Sequence, residues 1–184
     1  NTHNENINLR ATLEPFKDMS IELTATRVFS KNSSEFYRYN ELTQSFESQS
    51  KVEMSTLTYS NVSVSSAFAL IGKDYESSVF QNLLDNRRAV SELLGSENGN
   101  SGLLTSGYYD GYSATQQEVV LGAFLTSYTN RGISDQNVNP IRNLPLPNWS
   151  VNYNGLKNFK FMEKTLKNFV MRHGYSSYVS VSGI

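Results

Sequence analysis

The stretch of residues 6–29 restricts the possible folds of this chain more than any other part of the sequence. Apolar and polar residues alternate along two arms, which residues 15–18 separate. A period of two along both arms predicts a β-sheet with one apolar and one polar face. The polar face must contact water, but the alternation leaves open whether the apolar face contacts a protein core or lipid. The apolar positions are Ile7, Leu9, Ala11, Leu13, Met19, Ile21, Leu23 and Ala25.

The odd numbering of both apolar arms restricts how they pair. The two sets share one face only if paired residues have numbers of equal parity, so Leu13 must face Met19 or Ile21 and not Ser20. The connection is then an odd-length loop of about three or five residues. Pro15 suits this loop because it has no backbone N–H to donate to a strand ladder.

The composition favours a β-rich protein outside the cytoplasm. Only 38% of the residues are hydrophobic and only 18% are charged, while Tyr (11) and Phe (10) are frequent. Much of the remainder is Ser, Thr and Asn. The formal net charge of −1 gives no electrostatic reason to expect a nucleic-acid partner. The lack of cysteine excludes disulfides and cysteine-based metal sites.

The length of 184 residues suits one domain with a sizeable core, or a piece of a larger protein. The first residues carry neither an initiator methionine nor a signal peptide, so a processed or excised piece is expected. No run approaches the roughly 18–20 apolar residues of a transmembrane helix. A transmembrane β-strand needs only about 9–11 residues with alternate ones apolar, which the two opening arms provide.

Two segments in the middle of the chain have the period of a helix. Residues 74–94 carry apolar side chains three and four positions apart, which predicts an amphipathic helix with Asp74 or Ser77 as N-cap and Gly95 at its end. A capping-box sequence, Thr-Gln-Gln-Glu, opens residues 115–128, where we expect a second helix. We expect the two helices to pack together or on the end of the sheet.

Three further segments have the character of strands. Residues 51–71 form a third strand region whose apolar positions change parity, which indicates a bulge or a kink. Residues 149–155 and 169–181 alternate again. We expect these strands to pair antiparallel because no βαβ alternation appears. The sequence therefore predicts a mainly β fold of antiparallel strands with a small α-helical insertion.

Few residues suggest catalytic chemistry or a metal site. His3 lies in a polar terminus and His173 lies within a strand pattern, and the sequence nominates no partners for either. There is no nucleophile elbow, paired-histidine zinc motif or phosphate-binding loop. Asp110 and Asp135 fit turns better than a calcium loop. We therefore predict no catalytic residue, no metal site and no cofactor, and we expect that the protein is not an enzyme.

Several segments resemble one family of bacterial secretion proteins. In chain order they are LEPFKDMSI (13–21), FQNLLDNR (80–87) with Leu94-Gly95, AFLTSYT (123–129), PLPNWSVNYNGL (145–156), KNFVMRHGY (167–175) and YVSV (178–181). Their combination and order resemble the SprA/Sov family. These are the giant outer-membrane translocon proteins of the type IX secretion system of Bacteroidota, which are also associated with gliding motility.

The resemblance implies a segment from the C-terminal portion of a very large single-chain β-barrel, which conducts folded cargo across the bacterial outer membrane. It implies barrel strands in residues 1–72 and 145–184, and a helical and loop insertion in residues 73–144. The partners it implies are the remaining segments of the translocon chain, secreted cargo proteins, a shuttle-type outer-membrane partner, a periplasmic plug protein and membrane lipid. No nucleic-acid partner is expected.

Under this interpretation the two faces of the opening hairpin have separate roles. The residues expected to face the lumen are Arg10, Glu14, Glu22 and Thr24. The residues expected to face lipid are Ile7, Leu9, Leu13, Ile21 and Leu23. One alternative is an unrelated outer-membrane transporter. The other is a soluble secreted β-sandwich that binds carbohydrate or protein and packs its odd-numbered face as a core.

Overall fold

The computed structural model describes residues 1–158 and 169–183, with the backbone alone for residues 157 and 158. The chain divides into two compact units. The first comprises Asn1–Asn61 with Pro145–Ile184 and is a β-sheet, and the second, Val62–Leu144, is helical. Two residues of one family-like segment, at positions 167 and 168, lie outside the described residues.

Six strands form one sheet in the first unit. They are β1 (Thr2–Leu13), β2 (Met19–Asn40), β3 (Ser45–Ser60), β4 (Asn148–Tyr153), β5 (Met171–Tyr175) and β6 (Tyr178–Ser182), and Gly155–Asn158 forms a 3-10 helix after β4. Every pairing between them is antiparallel. The prediction of a mainly β, antiparallel fold with small helices is therefore confirmed. Over the described residues the sheet is open and does not close into a barrel.

The opening hairpin has the register that the alternation predicts. β1 pairs with β2 so that Leu13 lies opposite Ile21, which confirms the rule of equal parity. Five residues, 14–18, join the two strands, in agreement with the expected odd-length loop. The Met19 N–H donates to the Phe16 carbonyl at 3.1 Å, which closes the loop as a tight turn.

The six strands lie along four rows. On one side of β2, β4 pairs with residues 19–24 and β3 pairs with residues 27–40. Because both run antiparallel to β2, β3 and β4 lie end to end in a single row. In the same way, β5 pairs with β4 and β6 pairs with β3, so β5 and β6 also lie end to end. The first unit is therefore an antiparallel sheet of four rows: β1, then β2, then β3 with β4, and last β6 with β5. The second unit is inserted in the chain between β3 and β4, the two strands of the third row.

Hydrogen bonds join the two halves of the third row. The Leu146 N–H donates to the Ser60 carbonyl at 2.9 Å, and the Ser60 hydroxyl donates to the Leu146 carbonyl at 2.7 Å. The Ser177 N–H donates to the Asn148 side chain at 2.9 Å, and the Asn61 N–H donates to the Ser177 carbonyl at 3.0 Å. Ser60, Asn61 and Asn148 are buried, so these bonds pair groups that water does not reach. The sheet thus continues across the point of insertion.

Beyond the end of β1, β2 and β3 continue as a two-stranded segment over residues 33–54, which we call the ribbon. The register shifts after Ser34, where two residues of β3, beginning at Ser50, stand opposite the single residue Glu35. This arrangement is a β-bulge. This bulge does not explain the change of parity within residues 51–71, because the register is continuous from Val52 to Tyr59. Val52 and Met54 lie on the polar face of the sheet, and Leu57 and Tyr59 lie on the apolar face.

The second unit is built on two main helices. Its helices are α1 (Val64–Ala67), α2 (Ser78–Glu97), α3 (Gln117–Tyr128) and α4 (Asp135–Val138), followed by a 3-10 helix at Pro140–Arg142. The Ser77 hydroxyl accepts the Phe80 N–H at 3.4 Å, which confirms Ser77 as the N-cap of α2. The prediction that Gly95 ends this helix is wrong. Gly95 instead makes room for the side chain of Tyr109, which a Cβ at position 95 would overlap.

The two main helices pack on each other, as predicted. Val90 of α2, Ala123 of α3 and Val138 of α4 form a buried apolar cluster. Gly122 permits this approach, since a Cβ at that position would lie only 2.9 Å from the Val90 Cγ1. In residues 1–158 and 169–183, no helix is long and apolar enough to cross a bilayer.

Candidate functional surface on the two faces of the sheet

The strand registers extend the two faces of the hairpin across all four rows of the sheet. Directly opposed residues in antiparallel strands project from the same face. The apolar face continues through Leu57, Tyr59, Trp149, Val151, Tyr153, Met171, His173, Tyr175, Val179 and Val181. The polar face continues through Thr56, Thr58, Ser60, Asn148, Ser150, Asn152, Arg172, Gly174, Ser180 and Ser182. The sheet thus separates most apolar from most polar side chains. The exceptions include Val28 and Tyr178 on the polar face, and Glu5 and Arg27 on the apolar face.

The five residues predicted to face lipid lie together on the apolar face. Leu9 and Leu13 are 59% and 49% exposed, and Ile7, Ile21 and Leu23 are half-buried. Adjoining large apolar side chains that remain exposed mark a surface that binds another apolar surface. The described part of the chain leaves this area uncovered, and its contact with lipid stays a prediction.

Three of the four residues predicted to face the lumen adjoin one another on the polar face. Arg10 and Glu22 form an ion pair, and Thr24 is the cross-strand partner of Arg10. The pair is open to water, so it stabilises the sheet by about 0–1 kcal/mol. Glu14 lies in the loop after β1, where it lines a shallow depression with Ser20. The structure brings the four residues to one side of the sheet, and their contact with a lumen stays a prediction.

Short neutral side chains bond to one another along the polar face. The Ser30 hydroxyl donates to Asn4 at 2.7 Å, and the Asn8 amide donates to Asn6 at 2.8 Å. Farther across the sheet, the hydroxyls of Thr58 and Ser180 lie 2.9 Å apart. These bonds pair hydroxyls and amides locally, so the polar face is a hydrated surface of low charge.

One end of the apolar face is buried within the chain. Leu57 is 0% exposed and Tyr59 is 1% exposed, and Ala25 is buried as well. Arg27 is buried on the same face, where its guanidinium donates to the Glu5 carboxylate at 2.6 Å. Pairing of this kind offsets the cost of removing a guanidinium from water. The apolar face is therefore protein core at one end and open at the other.

Hydrogen bonds shift the pKa values of several groups in the ribbon. The Ser48 hydroxyl donates to the Glu35 carboxylate, and the Tyr37 hydroxyl donates to it at 2.8 Å. These bonds lower the pKa of Glu35, and the bond to Glu35 raises the pKa of Tyr37. Nearby, Lys51 donates to Glu53 at 2.8 Å and lowers the pKa of that carboxyl.

We expect the contact among Ser48, Glu35 and Tyr37 to be lost in acid. Because the pKa of Glu35 in the folded ribbon is below its ordinary value of 4.5, its contribution to stability is fully present above that value. That contribution disappears as the pH falls through the lowered pKa. The raised pKa of Tyr37 has the opposite sign, so its contribution is present below 10.0 and is lost as the pH rises through the raised value.

The NMR signals of the Tyr37 ring, followed from about pH 7 to about pH 3, measure the acid transition. Glu35→Gln removes the titrating carboxylate and is expected to abolish the transition at Tyr37. Glu41→Gln, in the same ribbon, is the matched control and is expected to leave it unchanged. An acid transition of Tyr37 that persists in Glu35→Gln contradicts the assignment.

No described residue has the surroundings of a metal site. His173 lies on the apolar face opposite Val151, and its ring centre is 6.5 Å from that of Trp149. Within residues 1–158 and 169–183, no group of three or more histidine or acidic side chains is arranged to hold a metal ion. The expectations of no catalytic residue and no cofactor stay predictions.

No family model matches this chain, and a comparison with curated proteins gives no match either. The resemblance to the SprA/Sov family consequently rests on the six sequence segments alone, and membership of that family stays a prediction. The geometry that bears most directly on function is the separation of side chains on the two faces of the sheet.

Proposed function

We propose that this chain is a segment of the wall of a protein-conducting translocon in the bacterial outer membrane, of the type IX secretion and gliding-motility class. The observation that carries the proposal is the segregation of apolar and polar side chains on one open sheet. In this arrangement the apolar face contacts lipid and the polar face lines a wide aqueous pore. The segment is non-catalytic, and the sequence resemblance to the SprA/Sov family supports the assignment to this class.

The extent of the apolar face fits a bilayer. It covers residues 19–29 of β2, or roughly 36 Å of strand at about 3.3 Å per residue. When tilted by about 45°, this length gives a band about 25 Å tall, the height of the apolar band of outer-membrane barrels. The end of this band around Ala25 and Arg27 is covered by the chain itself, so lipid contacts the remainder. Arg27 lies inside this stretch, but Glu5 pairs with its charge.

The proposal requires further strands at both edges of the sheet. Among the described residues, β1 forms one edge and β5 with β6 forms the other. Lipid does not tolerate a strand edge with unpaired backbone groups. In the proposed wall, the remaining segments of the translocon chain pair with these edges and complete the barrel. Experiments in vesicles therefore require this chain together with those segments.

Conduction through the proposed pore is passive. The Ser, Thr and Asn side chains of the polar face bind water, so a passing cargo protein meets no large apolar patch to which it adheres. The remaining partners proposed are secreted cargo proteins, a shuttle-type outer-membrane partner and a periplasmic plug protein. These partners control opening, and the wall segment supplies a hydrated surface of fixed shape.

Cysteine labelling tests this orientation, because the chain has no native cysteine. Leu23 and Thr24 are adjacent in β2 and both are half-buried, but they project from opposite faces. In lipid vesicles, a charged maleimide is expected to label Thr24→Cys rapidly and Leu23→Cys much more slowly, with equal labelling of both after denaturation. Equal labelling of the two variants in vesicles contradicts the proposed orientation.

A second candidate is a soluble secreted binding module for carbohydrate or protein. The burial of Leu57 and Tyr59 within the chain favours it, because that part of the apolar face already behaves as a protein core. The two candidates differ in their need for an apolar solvent. A purified chain that stays monomeric and folded without detergent supports the soluble module and contradicts the lipid-facing wall.

A further inference from the structure

The ribbon, residues 33–54, carries a cluster of exposed aromatic side chains. Tyr39 and Phe46 are cross-strand partners whose ring centres lie 5.2 Å apart in an edge-to-face arrangement. Tyr37 is exposed on the same face, and Leu42 in the tip is 96% exposed. Exposed clusters of this composition resemble the centres of protein interfaces, where Tyr and Phe are enriched.

Hydrogen bonds at the tip hold the cluster in a defined conformation. The Asn40 amide donates to Glu47 at 2.8 Å, and the Thr43 hydroxyl donates to the same carboxylate at 2.9 Å. The Leu42 N–H donates to the Asn40 side chain at 2.9 Å, which fixes the turn. An isolated two-stranded hairpin is only marginally stable, so this bracing matters. A surface that is ordered before binding loses less entropy on association.

The charge of the ribbon indicates what kind of surface it meets. It contains four glutamates against one arginine and one lysine, a net charge of −2. Such a segment is repelled by an anionic lipid surface and by a second copy of itself. A partner surface of opposite charge instead gains attraction at the rim while the aromatic side chains enter an apolar pocket.

The position of the ribbon separates it from the lipid-facing part of the sheet. The ribbon begins four residues beyond Phe29, the last residue of the apolar stretch of β2. Its β2 residues lie beyond the part of that strand that pairs with β1, which ends at Asn32. If the apolar face contacts lipid, the aromatic cluster therefore stands in water. This reason for excluding lipid as the binding partner of the aromatic cluster rests on the proposed function.

We infer that Tyr37, Tyr39 and Phe46 form a docking surface for a partner protein that presents an apolar pocket edged by lysine and arginine. The aromatic rings enter the pocket, and the Glu35 carboxylate, which accepts the Tyr37 hydroxyl on the same face, meets the basic rim. This contact is separate from the strand edges, so it is additional to the pairing that completes the wall.

Photo-crosslinking tests the inference with adjacent positions on opposite faces. The full chain is produced in cells with benzoylphenylalanine at position 39 or, as the matched control, at position 38. An adduct with one protein is expected from position 39 and not from position 38. The adduct partner is then identified, purified and titrated against the purified chain.

The titration decides whether the aromatic face binds that protein. Tyr39→Ser combined with Phe46→Ser is expected to weaken binding about tenfold or more, as truncation of interface hot spots does. Val52→Ser combined with Met54→Ser, in the same ribbon, is expected to leave it unchanged. Binding is also expected to weaken as salt is raised.

Four outcomes overturn the inference: equal adducts from both positions, adducts only with lipid, adducts only with a second copy of the chain, or unchanged affinity in the aromatic variant. Quenching of Trp149 by brominated lipid, measured on the same sample, reports the lipid contact separately. If brominated lipid does not quench Trp149 but the adduct forms, the proposed wall is contradicted and the docking surface is supported. If brominated lipid quenches Trp149 but no adduct forms, only the docking surface is contradicted.

Discussion

Leu9→Arg is expected to destabilise the chain in a lipid bilayer by about 2–4 kcal/mol, the cost measured for arginine at mid-depth on the lipid face of barrels. Leu9 is paired with Ala25, near the middle of the apolar stretch, and its side chain is largely exposed. In water, a substitution at such a surface position changes stability by about 0.5 kcal/mol or less. The size of the effect therefore reports what covers the side chain.

Asn8→Arg is the matched control for this substitution, because Asn8 is exposed on the polar face one residue away. Both variants are unfolded with denaturant in vesicles, and their free energies of unfolding are compared with that of the unaltered chain. We expect a large loss for Leu9→Arg and a small one for Asn8→Arg. Similar small losses in both variants contradict the lipid contact.

Leu57→Ala is expected to destabilise the chain by about 2–5 kcal/mol in any solvent that folds it. Leu57 is completely buried in β3, so its truncation removes apolar contacts and leaves a cavity that the surroundings fill only in part. Met54→Ala is the control on the same strand, because Met54 is exposed and its loss costs about 0.5 kcal/mol or less.

The free energy of unfolding measured by denaturant titration checks this second prediction. It tests the fold and not the lipid contact, because Leu57 lies at the end of the apolar face that the chain itself covers. A loss of less than about 1 kcal/mol for Leu57→Ala shows that the site is not packed as described.

The hairpin register was predictable because the side-chain period of a strand is exactly two. A slip of one residue places every apolar side chain of one arm on the polar face, so the alternation alone requires Leu13 to face an odd-numbered residue. The same reasoning carries across β4, where Trp149 lies opposite Leu23. Ser77 was predictable as an N-cap because its hydroxyl competes for local backbone N–H groups.

The interruption of the third row was not predictable from the pattern. Residues 51–71 were expected to form one strand region, whereas β3 ends at Ser60 and residues 64–67 form a helical turn. The contacts that end β3 come from Leu146 and Ser177, which are far away in sequence. Gly95 was misassigned for a related reason, since only the tertiary neighbour Tyr109 explains a glycine inside a helix.

The division of the sheet into an apolar and a polar face was predictable from the sequence, but what each face contacts was not. Alternation places Arg10 and Leu9 on opposite faces whether the sheet covers a core or contacts lipid. It also cannot show that Tyr59 is buried while Leu9 is exposed, because both occupy apolar-face positions. Burial depends on which other segments reach each end of the sheet.

Trp149 is a direct probe of what the apolar face contacts, since it is the single tryptophan of the chain. It is half-buried on that face, opposite Leu23, and its ring stacks on Tyr175 with ring centres 4.5 Å apart. Trp149→Phe combined with Ser150→Trp moves the indole to the polar face. Gly174, the cross-strand partner of Ser150, leaves space for it there.

The most direct test of the central claim is the quenching of tryptophan fluorescence by brominated lipid, with the chain reconstituted in vesicles. We expect strong quenching of Trp149 by brominated lipid and weak quenching by acrylamide in the aqueous phase. We expect the reverse for the variant with its tryptophan at position 150. Trp149 fluorescence that brominated lipid leaves unchanged, in a chain that is inserted in the vesicles, contradicts the claim that the apolar face contacts lipid.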